Sequence, residues 1–135
     1  MNKTKLLVLS FVGLIGLTTT AAATIQTISA ADLNTAIQNG ATMKLIDVRS
    51  ATAFNSRHIF SASNIYYSSA STFITACKNA GLNKSVETIV YGQNSADTTP
   101  NSAATALMNN GYTHVLVYQG GLDEWVSLGY QTLPF

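Results

Sequence analysis

Cys77 is the single cysteine of the 135-residue chain. An ionised thiol is the most capable nucleophile a neutral-pH enzyme can draw on. Cys77 ends the run Thr72-Phe73-Ile74-Thr75-Ala76-Cys77, four residues after Phe73. That spacing puts the two on one helix face with Ile74 beside them, and it reads as a small buried hydrophobe. The competing reading is a reactive thiol, or one that pairs with another chain. A lone cysteine has no intrachain disulfide partner.

A second group lies in the segment Gly92-Gln93-Asn94-Ser95-Ala96-Asp97-Thr98-Thr99. Ser95, Thr98 and Thr99 offer hydroxyls, but a hydroxyl nucleophile needs an adjacent base. Asp97 is the only acidic or basic side chain there, and no histidine is near in sequence. The segment reads as a polar loop of turn-forming residues. Asp47, Arg49 and His58 are the remaining candidates. Asp47 and Arg49 flank the end of an apolar run, with Arg49 able to face a ligand. His58 reads as a packing and hydrogen-bonding residue rather than an acid or base. His58 and His114 are far apart, and no Cys/His spacing suits a metal, so neither metal nor cofactor is expected.

The elements that must position these residues alternate between helix and strand. Ser29 caps a helix to about Gln38, stopped by Asn39-Gly40. Met43–Val48 reads as a short buried strand, and Phe54–Ile59 as a helical turn. Asn64–Tyr67 reads as a brief extended piece. A helix over Ser71–Ala80 ends at Gly81, and Val86–Tyr91 is the next strand. Pro100 or Asn101 opens a helix that Gly111 stops. His114–Tyr118 is another strand, Gly120-Gly121 a turn, and Leu122–Leu128 a last helix carrying Trp125. Short apolar strands separated by helices imply an α/β domain with a parallel sheet covered on both faces. Ligands of such sheets bind beyond the carboxyl ends of the strands. That points to Asp47-Val48-Arg49, to the loop after Tyr91 and to Gln119-Gly120-Gly121.

The segment Leu45-Ile46-Asp47-Val48-Arg49, followed by Phe54, His58-Ile59, Ala62, Asn64 and Ile65, resembles the first signature of the rhodanese-like family. Ile89-Val90-Tyr91, Ala103-Ala104, Leu107, Gly111-Tyr112, Val115–Tyr118, Gly120-Gly121 and Trp125 resemble the second. The resemblance spans about Ile28 to Leu133. It implies one domain with a central five-stranded parallel sheet and a site in the loop after Tyr91. It also implies that Asp47 and Arg49 bond neighbouring loops. In active members a cysteine directly after that strand takes sulfur from a donor such as thiosulfate. It holds the sulfur as a persulfide and passes it to cyanide or a thiol. Here that position is Gly92, which can neither attack nor carry sulfur. Arg57 and Ser61 also stand where the family commonly has glycine. Related phosphatases and arsenate reductases need a cysteine and an arginine in this loop, and both are missing.

A turn between a strand and a helix N-terminus aims backbone N–H groups inward, and with the helix dipole these favour an anion. The expectation is therefore a catalytically inactive binding or partner module, open to an unidentified protein or to a small sulfur-containing or oxyanion ligand. The alternative is a sulfurtransferase that uses Cys77 or a partner's thiol. Tyr66-Tyr67 are placed near the site mouth as a further recognition element.

Lys3 and Lys5, the apolar run Leu6–Leu17 and the small residues to Ala23 follow the plan of a secretory signal peptide. Residues 1–23 are read as that signal, residues 24–135 as the domain, and the location as periplasmic or secreted. Losing Lys3 and Lys5 takes the formal net charge from +1 to −1. With no Lys/Arg cluster, neither nucleic acid nor a membrane surface is an expected partner. The apolar run is too short to span a bilayer.

Overall fold

The computed structural model describes residues 24–134. The signal-peptide reading of residues 1–23 lies outside them. The described chain runs β1 (Gln26–Thr27), α1 (Ala30–Gln38), β2 (Met43–Asp47), α2 (Ala51–Ser56), β3 (His58–Ile59) and β4 (Ser63–Asn64). It continues through α3 (Ala70–Asn79), β5 (Glu87–Tyr91), α4 (Thr99–Asn109), β6 (Val115–Tyr118), α5 (Gly121–Ser127) and β7 (Thr132–Leu133). Five strands form one parallel sheet in the order β1-β6-β5-β2-β4.

Side chains on a strand alternate between faces, and the sheet uses this to build two cores. Ile46, Val90, Val115 and Val117 face α3 and α4, where they pack with Phe73, Ile74, Cys77, Ala103, Ala104 and Leu107. Leu45, Ile89, Tyr91 and Tyr118 face the other way, against Leu33 of α1 and Leu122 and Trp125 of α5. Each helix turns an apolar stripe to its sheet face. Both faces are thereby covered, as a parallel sheet requires.

Several boundaries differ from the sequence reading, for local reasons. The helical turn expected over Phe54–Ile59 starts earlier. Ser50 Oγ accepts from Ala53 N at 3.2 Å and sets the start of α2 at Ala51. Arg57 then extends, and His58–Ile59 pair antiparallel with Leu133 and Thr132. Ser69 caps α3, so that helix begins at Ala70. The strand expected from Asn64 contracts to Ser63–Asn64, paired to Ile46 and Asp47. Ser61 keeps the left-handed backbone of a glycine, with φ +76°. No helix among the described residues is long and apolar enough to cross a membrane.

The strand order also places a crevice at the carboxyl ends of the strands. From β2 the chain moves outward to β4, then crosses back to lay β5 on the other side of β2. The direction of winding reverses at the β2/β5 pair. In open α/β sheets the crevice at such a reversal, beyond the carboxyl ends, is the usual ligand position.

Candidate functional site

Asp47 and Tyr91 are register partners at the carboxyl ends of β2 and β5. The chain leaves these strands as Val48-Arg49 and as Gly92-Gln93. Asp47 is wholly buried, and its carboxylate accepts from Arg49 Nε at 3.0 Å and Nη2 at 2.8 Å. Arg49 is itself almost buried, at 8 % side-chain exposure. Its Nη2 also donates to the Arg57 carbonyl at 2.7 Å and its Nη1 to Gln93 Oε1 at 2.9 Å. Burial alone would weaken the Arg49 charge, but the Asp47 carboxylate more than offsets this and leaves its pKa raised. Burial, with the Asp47 carboxylate alongside, pushes the Tyr91 phenol far above its ordinary value. That hydroxyl accepts from Ile59 N at 3.0 Å.

The loop after β5 is held from a second side. Gln93 Nε2 donates to Asp123 Oδ1 at 2.7 Å, and Asn94 Nδ2 to Asp123 Oδ2 at 3.2 Å. Leu122 N and Asp123 N donate to the carbonyls of Gly92 and Gln93 at 3.1 and 2.9 Å. This approach needs a glycine at 121, where φ is +70° and an added Cβ would lie 2.7 Å from Asn94 N and from the Gln93 carbonyl carbon. Neither is a movable side-chain tip. Gly121→Ala is therefore expected to cost more than about 2 kcal/mol by thermal or urea unfolding, since left-handed strain adds to a backbone collision.

Gly92 is buried, and Asp97 explains why. The Asp97 carboxylate folds back across the loop. Its Oδ2 accepts from Gln93 N at 3.0 Å and its Oδ1 from Thr99 N at 2.9 Å. A Cβ built on Gly92 would collide with Asp97 Oδ2 and would lie 2.9 Å from Pro100 Cγ. Two of the inward amides that were expected to attract an external anion thus already hold the chain's own carboxylate. Burial alone would raise the Asp97 pKa. The Gln93 and Thr99 amides, the Thr99 hydroxyl and the Arg49 charge outweigh it, and the pKa is lowered.

A depressed carboxyl contributes stability above its unfolded pKa of about 4 and loses it as pH falls through the lower folded value. Asp97→Asn is accordingly expected to show a shallower loss of stability between about pH 4 and pH 2 than the parent, in urea titrations across that range.

The other candidates separate clearly. Ser95 and Ala96 sit exposed at the loop tip, and Thr98 is exposed without capping α4. Asp97, rather than Pro100 or Asn101, marks the helix start, so α4 begins at Thr99. The signal was present as an Asp two residues before a Thr at a helix entrance. His58 Nδ1 lies 2.8 Å from the Phe54 carbonyl and its ring stacks on Phe54 at 3.7 Å. None of its hydrogen bonds reaches the loop. Gln93 and Asp123, which tie the loop to both Arg49 and α5, are joined only by the fold. Among the described residues no group of His, Cys, Asp and Glu could hold a metal ion.

Cys77 is fully buried in the core between the sheet and α3 and α4, away from the crevice. Burial pushes its thiol up to about 11. The exposure that a nucleophilic role demands is absent. In native buffer Cys77 is expected to be inert to an aromatic disulfide reagent and to react stoichiometrically once denaturant is added, read by absorbance.

The Rhodanese-like domain family model matches residues 29–128. The chain belongs to the rhodanese-like domain family. The solution structure of the rhodanese-like domain of the Anabaena sp. Alr3790 protein matches this rhodanese-like domain at 25 % identity and TM-score 0.69, covering 83 % of this chain and 81 % of that one. The Bacillus halodurans protein BH2092 matches at 25 % identity and TM-score 0.70, over 79 % of this chain and 75 % of its own. A thiosulfate sulfurtransferase from Pseudomonas aeruginosa shares the fold at 14 % identity and TM-score 0.63, across 80 % of this chain but 20 % of its own. No curated protein matches this rhodanese-like domain.

Proposed function

We propose that this protein is a catalytically inactive rhodanese-like module, exported as a periplasmic or secreted protein, that acts by binding. The carrying observation is the pair Gly92 and Asp97. The loop at the switch point has no side chain at 92 able to carry sulfur. Its inward amides at 93 and 99 hold an internal carboxylate. A thiolate or persulfide placed on Gly92 would meet that carboxylate sterically and electrostatically. The sulfurtransferase alternative through Cys77 draws no support from a buried thiol.

A small oxyanion at the loop remains part of this reading, through the donors that Asp97 leaves free and in competition with it. A partner protein would meet a rim made of the exposed loop tip and Asp123, which Asn94 joins to the loop. The test is turnover. Purified protein given thiosulfate and cyanide is expected to form thiocyanate no faster than buffer alone. Protein-dependent thiocyanate would contradict the proposal.

A further inference from the structure

The strand β2 has five residues and its outer neighbour β4 only two, so β4 covers just the carboxyl half of β2. Alternation along a parallel strand turns the backbone groups of Lys44 and Ile46 toward β5, and Val48 N continues that series onto the Tyr91 carbonyl at 3.1 Å. The groups of Met43, Leu45 and Asp47 therefore face β4. The Asp47 carbonyl accepts there from Ile65 N at 3.1 Å. The register of Ile46 with Ser63 gives the Leu45 carbonyl to Ser63 N. The Leu45 N–H and the Met43 carbonyl lie beyond the amino end of β4, and neither bonds to another described residue.

Leu45 is 3 % exposed, and a backbone donor left without an acceptor in such a place costs free energy. A cavity of about 210 Å³ opens at this edge, lined by Ile37, Met43, Lys44, Leu45, Ser61 and Ser63 together with the Gly40-Ala41 turn. The chain reaches β4 from the β3–β7 pair, through Ser61 at φ +76°, rather than along the line that would prolong β4 beside Leu45 and Met43. The lower half of β2 thus keeps an open ladder position with a donor, an acceptor and a cavity in front of them.

We propose that this cavity captures the C-terminus of an extended peptide, added in line with β4. An extended residue beside Lys44 in parallel register donates its N–H to the Met43 carbonyl and accepts at its own carbonyl from Leu45 N, the two bonds a parallel ladder makes to one residue. An antiparallel strand would bond Leu45 through its N–H and its carbonyl together, and Ser63 already holds that carbonyl. The peptide cannot run past the residue beside Lys44, because Ala62 and Ser63 occupy the next positions. The group that meets Leu45 N is therefore a terminal carboxylate. Lys44 is the one charged residue lining the cavity, and its sign is opposite. Ser61 and Ser63 bring hydroxyl donors for the carboxylate oxygens. Strand alternation puts the penultimate side chain on the Leu45 face of the sheet, toward Ile37 and Met43. The site lies at the amino half of β2, away from Gly92, and does not depend on whether that loop is catalytic.

The test is titration of the isotope-labelled protein with N-acetylated tetrapeptides, uncharged except for a free C-terminal carboxylate and ending in valine, leucine or phenylalanine, followed by amide chemical shifts. At least one is expected to bind with a Kd of about 1 mM or tighter. Its largest shifts should fall at Met43, Lys44 and Leu45 and at Ser61, Ala62 and Ser63. The same peptide amidated at its C-terminus, or N-methylated at its last residue, should bind at least about tenfold more weakly. The first lacks the charge and the second lacks the N–H for Met43. Lys44→Gln, at an exposed position, should weaken the free acid about threefold, the scale of one partly solvated ion pair. Added salt should weaken it as well. Unchanged amide shifts away from residue 44 check that this variant is folded. No binding by any of the peptides at about 10 mM, equal affinity for the amidated or N-methylated form, or shifts centred away from this edge would each overturn the proposal.

Discussion

Asp47→Asn is expected to lower unfolding stability by about 3–5 kcal/mol, a large part of what a domain this size possesses. The carboxylate is wholly buried and takes two side-chain donors from Arg49 as well as the Arg49 backbone N–H at 2.9 Å. The neutral amide leaves a guanidinium out of water with no counter-charge. It also turns an N–H₂ toward donors that need an acceptor. The damage should spread, because Arg49 also bonds the Arg57 carbonyl and Gln93. Urea unfolding of the variant measures the loss. A cost below about 1 kcal/mol would mean that the pair is solvated in solution and that Arg49 does not anchor the loop.

Placing a cysteine at 92 is expected to give slow persulfide formation alone and faster formation with a second change. The backbone at Gly92 lies outside the left-handed region, so chain geometry admits a side chain there. The obstacle is Asp97, whose carboxylate occupies the space. In Gly92→Cys that negative charge either stays, raising the thiol pKa, or swings out and gives up its bonds to Gln93 N and Thr99 N. In Gly92→Cys/Asp97→Ala both amides become free to stabilise a thiolate at the entrance of α4. Thiosulfate then gives up its outer sulfur to the thiolate, forming a persulfide and releasing sulfite. We expect the double variant to form persulfide at least about tenfold faster than the single one, the consequence of one pKa unit in thiolate fraction. The lost cap should cost the double variant about 1 kcal/mol. Equal rates would show that Asp97 does not occlude the position.

The sheet was legible in the sequence because its central strands are short apolar runs. Leu45-Ile46 and Ile89-Val90-Tyr91 can only be satisfied by burial on both faces. The two-residue strands β1, β3 and β7 escaped, since a pair of residues has no period to read and is made extended by its neighbour. Asp47 with Arg49 could be picked out because the ion pair is local. Gln93 with Asp123 could not, because thirty positions separate them and only the Gly121 turn brings them together. In the sequence Asp97 stands out only as the single charged side chain of a polar loop. Only the fold shows that its carboxylate lies on the loop amides themselves and fills the volume left by Gly92.

The same geometry explains why the loop does not simply collapse without a side chain at 92. Asp97 bonds two amides, Asn94 and Gln93 reach Asp123, and Gln119 Nε2 donates to the Ser95 carbonyl at 3.3 Å. Each buried donor finds an acceptor, as a stable polar network requires.

The most direct measurement is the intact mass of the purified wild-type protein after incubation with thiosulfate and removal of excess reagent. An unchanged mass is expected, because Gly92 has no side chain to accept sulfur and the Cys77 thiol is buried and protonated. A gain of one sulfur atom would place a working thiol at Cys77 and contradict the reading of this protein as a rhodanese-like module without a nucleophile.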